Sequence, residues 1–186
     1  NGYFETPNLD RLARRGIIFD NAYSTSTVCA PARGSLLTGL HPHRFAKACD
    51  GLILQEGFWT FAHELRKAGY QTGYFGKGHF WPLKSDHGFD RMETVEHMNV
   101  FPWAKNPVDD YLAYLLWQGK ATPQAAHLNN GRPGGGGARP FPFDAEFHPT
   151  AWTARGAIEF LKECDPAKPF FTFVSFEHPH APYDPP

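Results

Sequence analysis

The sequence predicts an α/β chain built on a mostly parallel sheet, and three observations carry that expectation. A capped, apolar-periodic helix followed by a short strand-like run recurs in residues 6–23, 60–75 and 150–176. The last of these runs, Phe170-Phe171-Thr172-Phe173-Val174-Ser175-Phe176, is apolar enough for a strand buried on both faces of a parallel sheet. Each unit also ends in residues that carry chemistry: Cys29 after the first, Lys77 and His79 after the second, His180 after the third. Ligands of open α/β sheets bind outside the carboxyl ends of the strands, so these four residues are expected to meet in one crevice.

Thr6-Pro7-Asn8-Leu9-Asp10-Arg11-Leu12-Ala13-Arg14-Arg15-Gly16 has a cap, a proline in the first turn, basic residues in the last and a stopping glycine, which predicts a helix. Ile17 to Tyr23 is then expected to be a strand that delivers the chain to the loop bearing Cys29. Pro31 fits the first position of a following short helix and Gly39 the position just past its end, which places Cys29 immediately before that helix. The unpaired N–H groups of a first helical turn favour an anion there, and Arg33 can add a fork of donors suited to a tetrahedral oxyanion. A lone cysteine is more often a small buried hydrophobe, and it is the combination with Pro31 and Arg33 that points to an anion site.

Thr60 caps a helix over Phe61 to Ala68, Gly69 stops it, and Tyr70 to Phe75 is the expected strand, with Gly76-Lys77-Gly78-His79 at its carboxyl end. Residues 80–149 carry little periodicity. Trp81, Pro82, Trp103 and Pro107 interrupt it, Asp109 to Leu116 suits a short helix, and Asn129 to Pro142, with Gly134 to Gly137, is a flexible loop by composition. That glycine run lacks the lysine and the strand-to-helix setting of a phosphate cradle. Thr150 opens a helix ending near Cys164, and Glu177-His178-Pro179-His180-Ala181-Pro182 follows the third strand.

With 186 residues the chain suits one domain with a sizeable core. Its 18 basic and 19 acidic side chains leave a net charge of −1, which points away from nucleic acid and anionic membranes as partners. No apolar run approaches the roughly 18 residues of a membrane helix. Cys29, Cys49 and Cys164 show neither a disulfide framework nor metal-type spacing. The sequence opens on Asn1 with no initiator Met or signal core, so it is expected to be a fragment whose N-terminus lies upstream.

Cys29-Ala30-Pro31-Ala32-Arg33 followed by Leu36-Leu37-Thr38-Gly39 resembles the signature of the type I sulfatases, with Ala32 where serine is frequent. The helix before it, the Gly-Lys-x-His segment at 76–79 and the run from Pro169 to Pro182 resemble the corresponding family segments. The resemblance implies an α/β/α sandwich like that of the alkaline phosphatase superfamily, incomplete in this chain. It implies residues 1–186 as part of one catalytic domain, with 80–149 a variable, loop-rich insertion that walls the substrate pocket. It further implies a sulfuric-ester hydrolase in which Cys29 is oxidised to formylglycine by a maturation enzyme. The hydrated aldehyde attacks sulfur with one hydroxyl and expels sulfate by collapse of the other.

In that scheme Lys77 binds sulfate oxygens, His79 hydrogen-bonds the formylglycine hydroxyl, and His180 touches the bridging ester oxygen. The implied metal is calcium, with magnesium as an alternative. Cys29, as formylglycine, would be the one metal ligand in the chain, because Asp86, Asp90, Asp109 and Asp110 match none of the family's metal motifs. The implied substrate is a sulfated small molecule or glycan, and the implied compartment is periplasmic, secreted or lysosomal. Two alternatives remain at this point: a formylglycine-dependent phosphonate or phosphate monoester hydrolase, against which the Lys77-x-His79 pair argues, and a non-catalytic sulfoglycan-binding relative.

Overall fold

The computed structural model describes residues 4–45, 54–55, 57–82, 85–96, 109–120, 140–180 and 183–186. Cys49, Trp103, Pro107 and the Gly134–Gly137 run lie outside them. The helices are α1 (Pro7–Ala13), α2 (Cys29–Thr38), α3 (Phe61–Lys67), α4 (Asp110–Trp117) and α5 (Pro149–Glu163). The strands are β1 (Leu54–Gln55), β2 (Gln71–Gly76), β3 (Phe80–Trp81), β4 (Arg91–Thr94) and β5 (Phe170–Ser175).

A three-stranded parallel sheet in the order β4-β2-β5 forms the centre, with Tyr74 of β2 opposite Met92 of β4 and Phe173 of β5. Successive side chains of a strand point to opposite faces, and β2 uses both. Tyr74 packs with Leu37 of α2, Ala62 of α3, Phe80 and Phe89, while Phe75 on the other face packs with Ala157 and Phe160 of α5. Helices on both faces of a parallel sheet give the expected α/β/α layering. A separate parallel pair, β1 with β3, lies beside the first layer, where Leu54 and Phe80 join the Tyr74 core.

Local sequence explains the sharpest boundaries. α3 begins with a capping box in which Thr60 is the cap and the His63 ring stands where Glu or Gln is usual, its Nδ1 accepting the Thr60 N–H at 3.1 Å. α4 is capped by Asp109, whose Oδ1 accepts the Leu112 N–H at 2.6 Å. α2 ends on Gly39 at φ +69°, the left-handed position that glycine fills without strain.

Two expectations differ from the structure. Ile17 to Tyr23 forms no strand: a strand needs a neighbour for its backbone groups, none runs beside this segment among the described residues, and Ile17 and Phe19 are 81% and 75% exposed. α2 starts at Cys29, two residues before Pro31. Its first hydrogen bond runs from Ala32 N–H to Val28 C=O at 3.1 Å, so Pro31 stands in the first turn, where its missing N–H costs nothing. The structure also adds what the sequence did not suggest: β3 and β4 lie in the stretch without periodicity, and β4 is an edge of the main sheet.

Candidate active site

Cys29 is the first residue of α2, half-buried, and lines an open groove of about 840 Å³ together with Arg33, Ser35, Tyr23 and the β5 residues Phe173 to Ser175. The helix start gives this position first-turn N–H groups without intrahelical partners and the positive end of the helix dipole. The guanidinium of Arg33 does not turn toward Cys29 with its Nη1. That nitrogen donates to the Lys77 carbonyl at 2.8 Å and to Ser175 Oγ at 2.7 Å, tying α2 to the carboxyl ends of β2 and β5.

Lys77 follows directly on β2. Its N–H donates to the Ser175 carbonyl at 2.9 Å, and its own carbonyl accepts from both Arg33 and the Tyr74 hydroxyl. The side chain is only 1% exposed, where a loop lysine would be solvated. Burial lowers its pKa below the ordinary lysine value, while the nearby charges of Glu177, Cys29 and Glu96 oppose that shift and Arg33 adds to it. Lys77 therefore lies within electrostatic reach of Cys29. The turn that puts it there depends on Gly76, at φ +102°, where an added Cβ would collide with the Ser175 carbonyl oxygen.

His79 has φ +58°, an uncommon value for a non-glycine residue, and its N–H donates to Glu96 Oε1 at 2.6 Å and Oε2 at 2.9 Å. Glu96 Oε1 also accepts the Gly78 N–H at 3.0 Å. The Glu96 N–H in turn donates to Asp109 Oδ2 at 2.7 Å. Burial pushes Glu96 up to about 8 and Asp109 up to about 6, against the pull of the N–H groups that each accepts.

His180 is exposed, one turn beyond β5, with its N–H donating to the Glu177 carbonyl at 3.2 Å. The same loop is anchored by His178, whose Nε2 lies 2.9 Å from Asp184 Oδ1, and by His148, whose Nε2 lies 3.1 Å from the Asp184 carbonyl. Arg33, Lys77 and Cys29 are thus gathered at the ends of β2 and β5, and His79 is held on the same loop. His180 follows from β5.

Sequence reasoning missed Ser175, Tyr74 and Glu96. A single hydroxyl at the carboxyl end of an apolar strand is a usable signal for Ser175, and a tyrosine inside a buried strand is one for Tyr74. Glu96 carries no local pattern.

Of the acidic residues left aside, Asp86 bonds Gly88 and Arg66, Asp90 bonds Thr72, and Asp110 bonds Thr94. Among the described residues, His148, His178 and Asp184 offer ligand atoms within 4.8 Å of one another. They do not fit calcium, which takes six to eight oxygens, mostly from carboxylates and carbonyls. Nor is His148 turned as a ligand: its Nδ1 accepts the Thr150 N–H at 3.2 Å, so in the neutral ring Nε2 carries the proton and donates to Asp184. Arg33 lines the groove with Cys29, and Lys77 lies within electrostatic reach of Cys29, Glu177 and Glu96.

The fold and this site define a crevice at the carboxyl ends of a parallel α/β sheet, and comparison with known proteins gives its kinship. The Sulfatase family profile matches residues 1–186, and the chain belongs to that family. It is 34% identical to an arylsulfatase of Clostridium perfringens over all of its own length and 40% of that protein's. It is 32% identical to a choline-sulfatase of Rhizobium meliloti, covering 97% of this chain and 35% of that protein. The chain therefore spans well under half the length of these relatives. The crystal structure of a phosphonate monoester hydrolase of Agrobacterium radiobacter matches with a TM-score of 0.68 at 25% identity, covering 98% of this chain and 38% of that one. A solved complex with D-glucosamine-2-N,6-O-disulfate shares the fold, with a TM-score of 0.59 at 24% identity, covering 95% of this chain and 30% of that one. No helix among the described residues is long and apolar enough to cross a membrane.

Proposed function

We propose that the full-length protein hydrolyses sulfate monoesters at the Cys29 groove. The observation that carries the proposal is the position of Cys29 on the first residue of α2, in an open groove with Arg33 and within electrostatic reach of the buried Lys77. Conversion to formylglycine by a maturation enzyme fits this position, which is partly exposed and faces a groove with room for an ester, and the hydrated aldehyde supplies the nucleophilic hydroxyl.

Lys77 binds the non-bridging sulfate oxygens and offsets their charge as the S–O bond breaks. His79 holds the nucleophilic hydroxyl in place. His180 gives a proton to the bridging oxygen, so that the alcohol leaves neutral. Arg33 acts mainly by fixing Lys77 and the end of β5. Calcium enters this reading through family membership alone. The proposed substrates are sulfated small molecules or sugars, and the proposed compartment is periplasmic, secreted or lysosomal.

The likeness to a phosphonate monoester hydrolase favours a second reading, hydrolysis of phosphonate or phosphate monoesters by the same groups. Parallel kinetics on nitrophenyl sulfate and nitrophenyl phenylphosphonate separate the two. Higher kcat/KM for the sulfate supports the proposal, and the reverse order replaces it with the second reading. Tight binding of sulfated sugars without turnover of either ester would leave a binding protein.

A further inference from the structure

We propose that Glu96 is the positioning residue for the Lys77-Gly78-His79 segment, holding its backbone in the arrangement that catalysis uses. The inference rests on the proposed function only in assigning that segment a catalytic task. Glu96 is 5% exposed and reaches across from beyond β4, 17 and 18 positions along the chain, to accept both the His79 and Gly78 N–H groups. These donors belong to an irregular turn that no strand ladder supports. The turn departs from ordinary geometry at both ends, with Gly76 at φ +102° and His79 at φ +58°.

The fit is close. A Cβ on Gly78 would stand 2.8 Å from Glu96 Oε1 and 2.6 Å from the Phe80 ring. Glu96 is itself fixed through its N–H to Asp109, which also caps α4. A chain of contacts thus runs from the α4 cap through Asp109 and Glu96 to His79. The buried Glu96 carboxyl meets these two N–H groups through three contacts, one from Gly78 and two from His79.

The groups that face Glu96 are Lys77, Tyr74 and His79 on and after β2, Arg33 on α2, and Asp109 at α4. Ionised Glu96 adds negative charge beside Lys77 and so opposes an anionic ester. Burial places that ionisation near pH 8.

The test uses the full-length enzyme and the variants Glu96→Ala, Glu96→Gln and Glu96→Asp, with hydrogen exchange of segment 76–80 and kinetics on nitrophenyl sulfate. Glu96→Ala and Glu96→Asp should speed exchange at Gly78 and His79 while exchange in β2 and α5 stays as in the wild type. Both should lower kcat by about 10²-fold, the scale of a displacement near 1 Å. Glu96→Gln keeps an acceptor oxygen and should restore protection and most of kcat. The wild type should show a rise in KM above about pH 8 as Glu96 ionises, and Glu96→Gln should remove it. Glu96→Asp serves if Glu96→Ala fails to fold, because it keeps the carboxyl group and shortens only the reach.

Unchanged exchange at Gly78 and His79 in both truncated variants overturns the proposal, whatever the kinetics. Equal losses in Glu96→Gln and Glu96→Ala also overturn it. If the wild type turns over no sulfate ester, the exchange result still decides the positioning role, and only the functional proposal falls.

Discussion

Replacing Ser175 with alanine isolates the strut that joins the three elements of the site. Ser175 Oγ accepts Arg33 Nη1 at 2.7 Å in a position that is 7% exposed. A hydrogen bond to a charged group contributes about 1.5–3 kcal/mol, and the half-buried guanidinium recovers part of that from water, so about 1.5 kcal/mol is expected. That is roughly a ten-fold change in the folding equilibrium. Denaturant unfolding should show a lower midpoint at an unchanged slope. The Arg33 bond to the Lys77 carbonyl survives in this variant, so kcat on nitrophenyl sulfate should fall by no more than about ten-fold, a loss on the scale of one bond. A double-mutant cycle with Arg33→Ala completes the test, since Ser175→Ala should cost little once the guanidinium is gone. Equal cost of Ser175→Ala in both backgrounds would refute the strut.

Three further outcomes follow from the same geometry. Gly76→Ala should destabilise by at least about 1–3 kcal/mol through backbone strain alone, with the collision at the Ser175 carbonyl adding to it, and wild-type stability would refute the stated role of φ +102°. His180→Ala should slow hydrolysis of an alkyl sulfate by about 10²–10⁴-fold and of nitrophenyl sulfate far less, whereas equal losses would assign His180 another task. Glu96 and Asp109 keep their protons in the fold up to about pH 8 and about pH 6, and in the unfolded chain they release them near the ordinary carboxyl value. Their contribution to stability is thus full below that value and is lost as pH rises through those points, by up to about 1.4 kcal/mol per pH unit for each group. Unfolding curves for wild type and Glu96→Gln between pH 4 and pH 9 check this, the variant showing the shallower fall.

The α/β class was legible because capped helices and apolar strands carry local periodicity: Thr60, Gly69 and the Phe170–Ser175 run mark their elements unaided. β4 was not legible, since Arg91-Met92-Glu93-Thr94 is half polar and becomes a strand only because β2 stands beside it. Ile17 to Tyr23 failed for the converse reason: its composition suits a strand, but pairing is a tertiary property. At the site, Cys29, Arg33, Lys77, His79 and His180 were marked by motif. Their supports, Ser175, Tyr74 and Glu96, were not, because a hydrogen bond spanning 142 residues, as from Arg33 to Ser175, leaves no trace in local spacing. The start of α2 moved by two residues because proline is tolerated anywhere in a first turn.

The central claim is that residue 29 acts as a formylglycine nucleophile in a sulfuric-ester hydrolase, and its most direct test is the mass of the tryptic peptide Gly16–Arg33 from active full-length protein. Replacing CH₂SH by CHO lowers that mass by ~18 Da, a covalent change that defines the nucleophile. The account predicts the lighter peptide in proportion to aryl sulfatase activity across preparations. Full activity with an unmodified Cys29 peptide would contradict it.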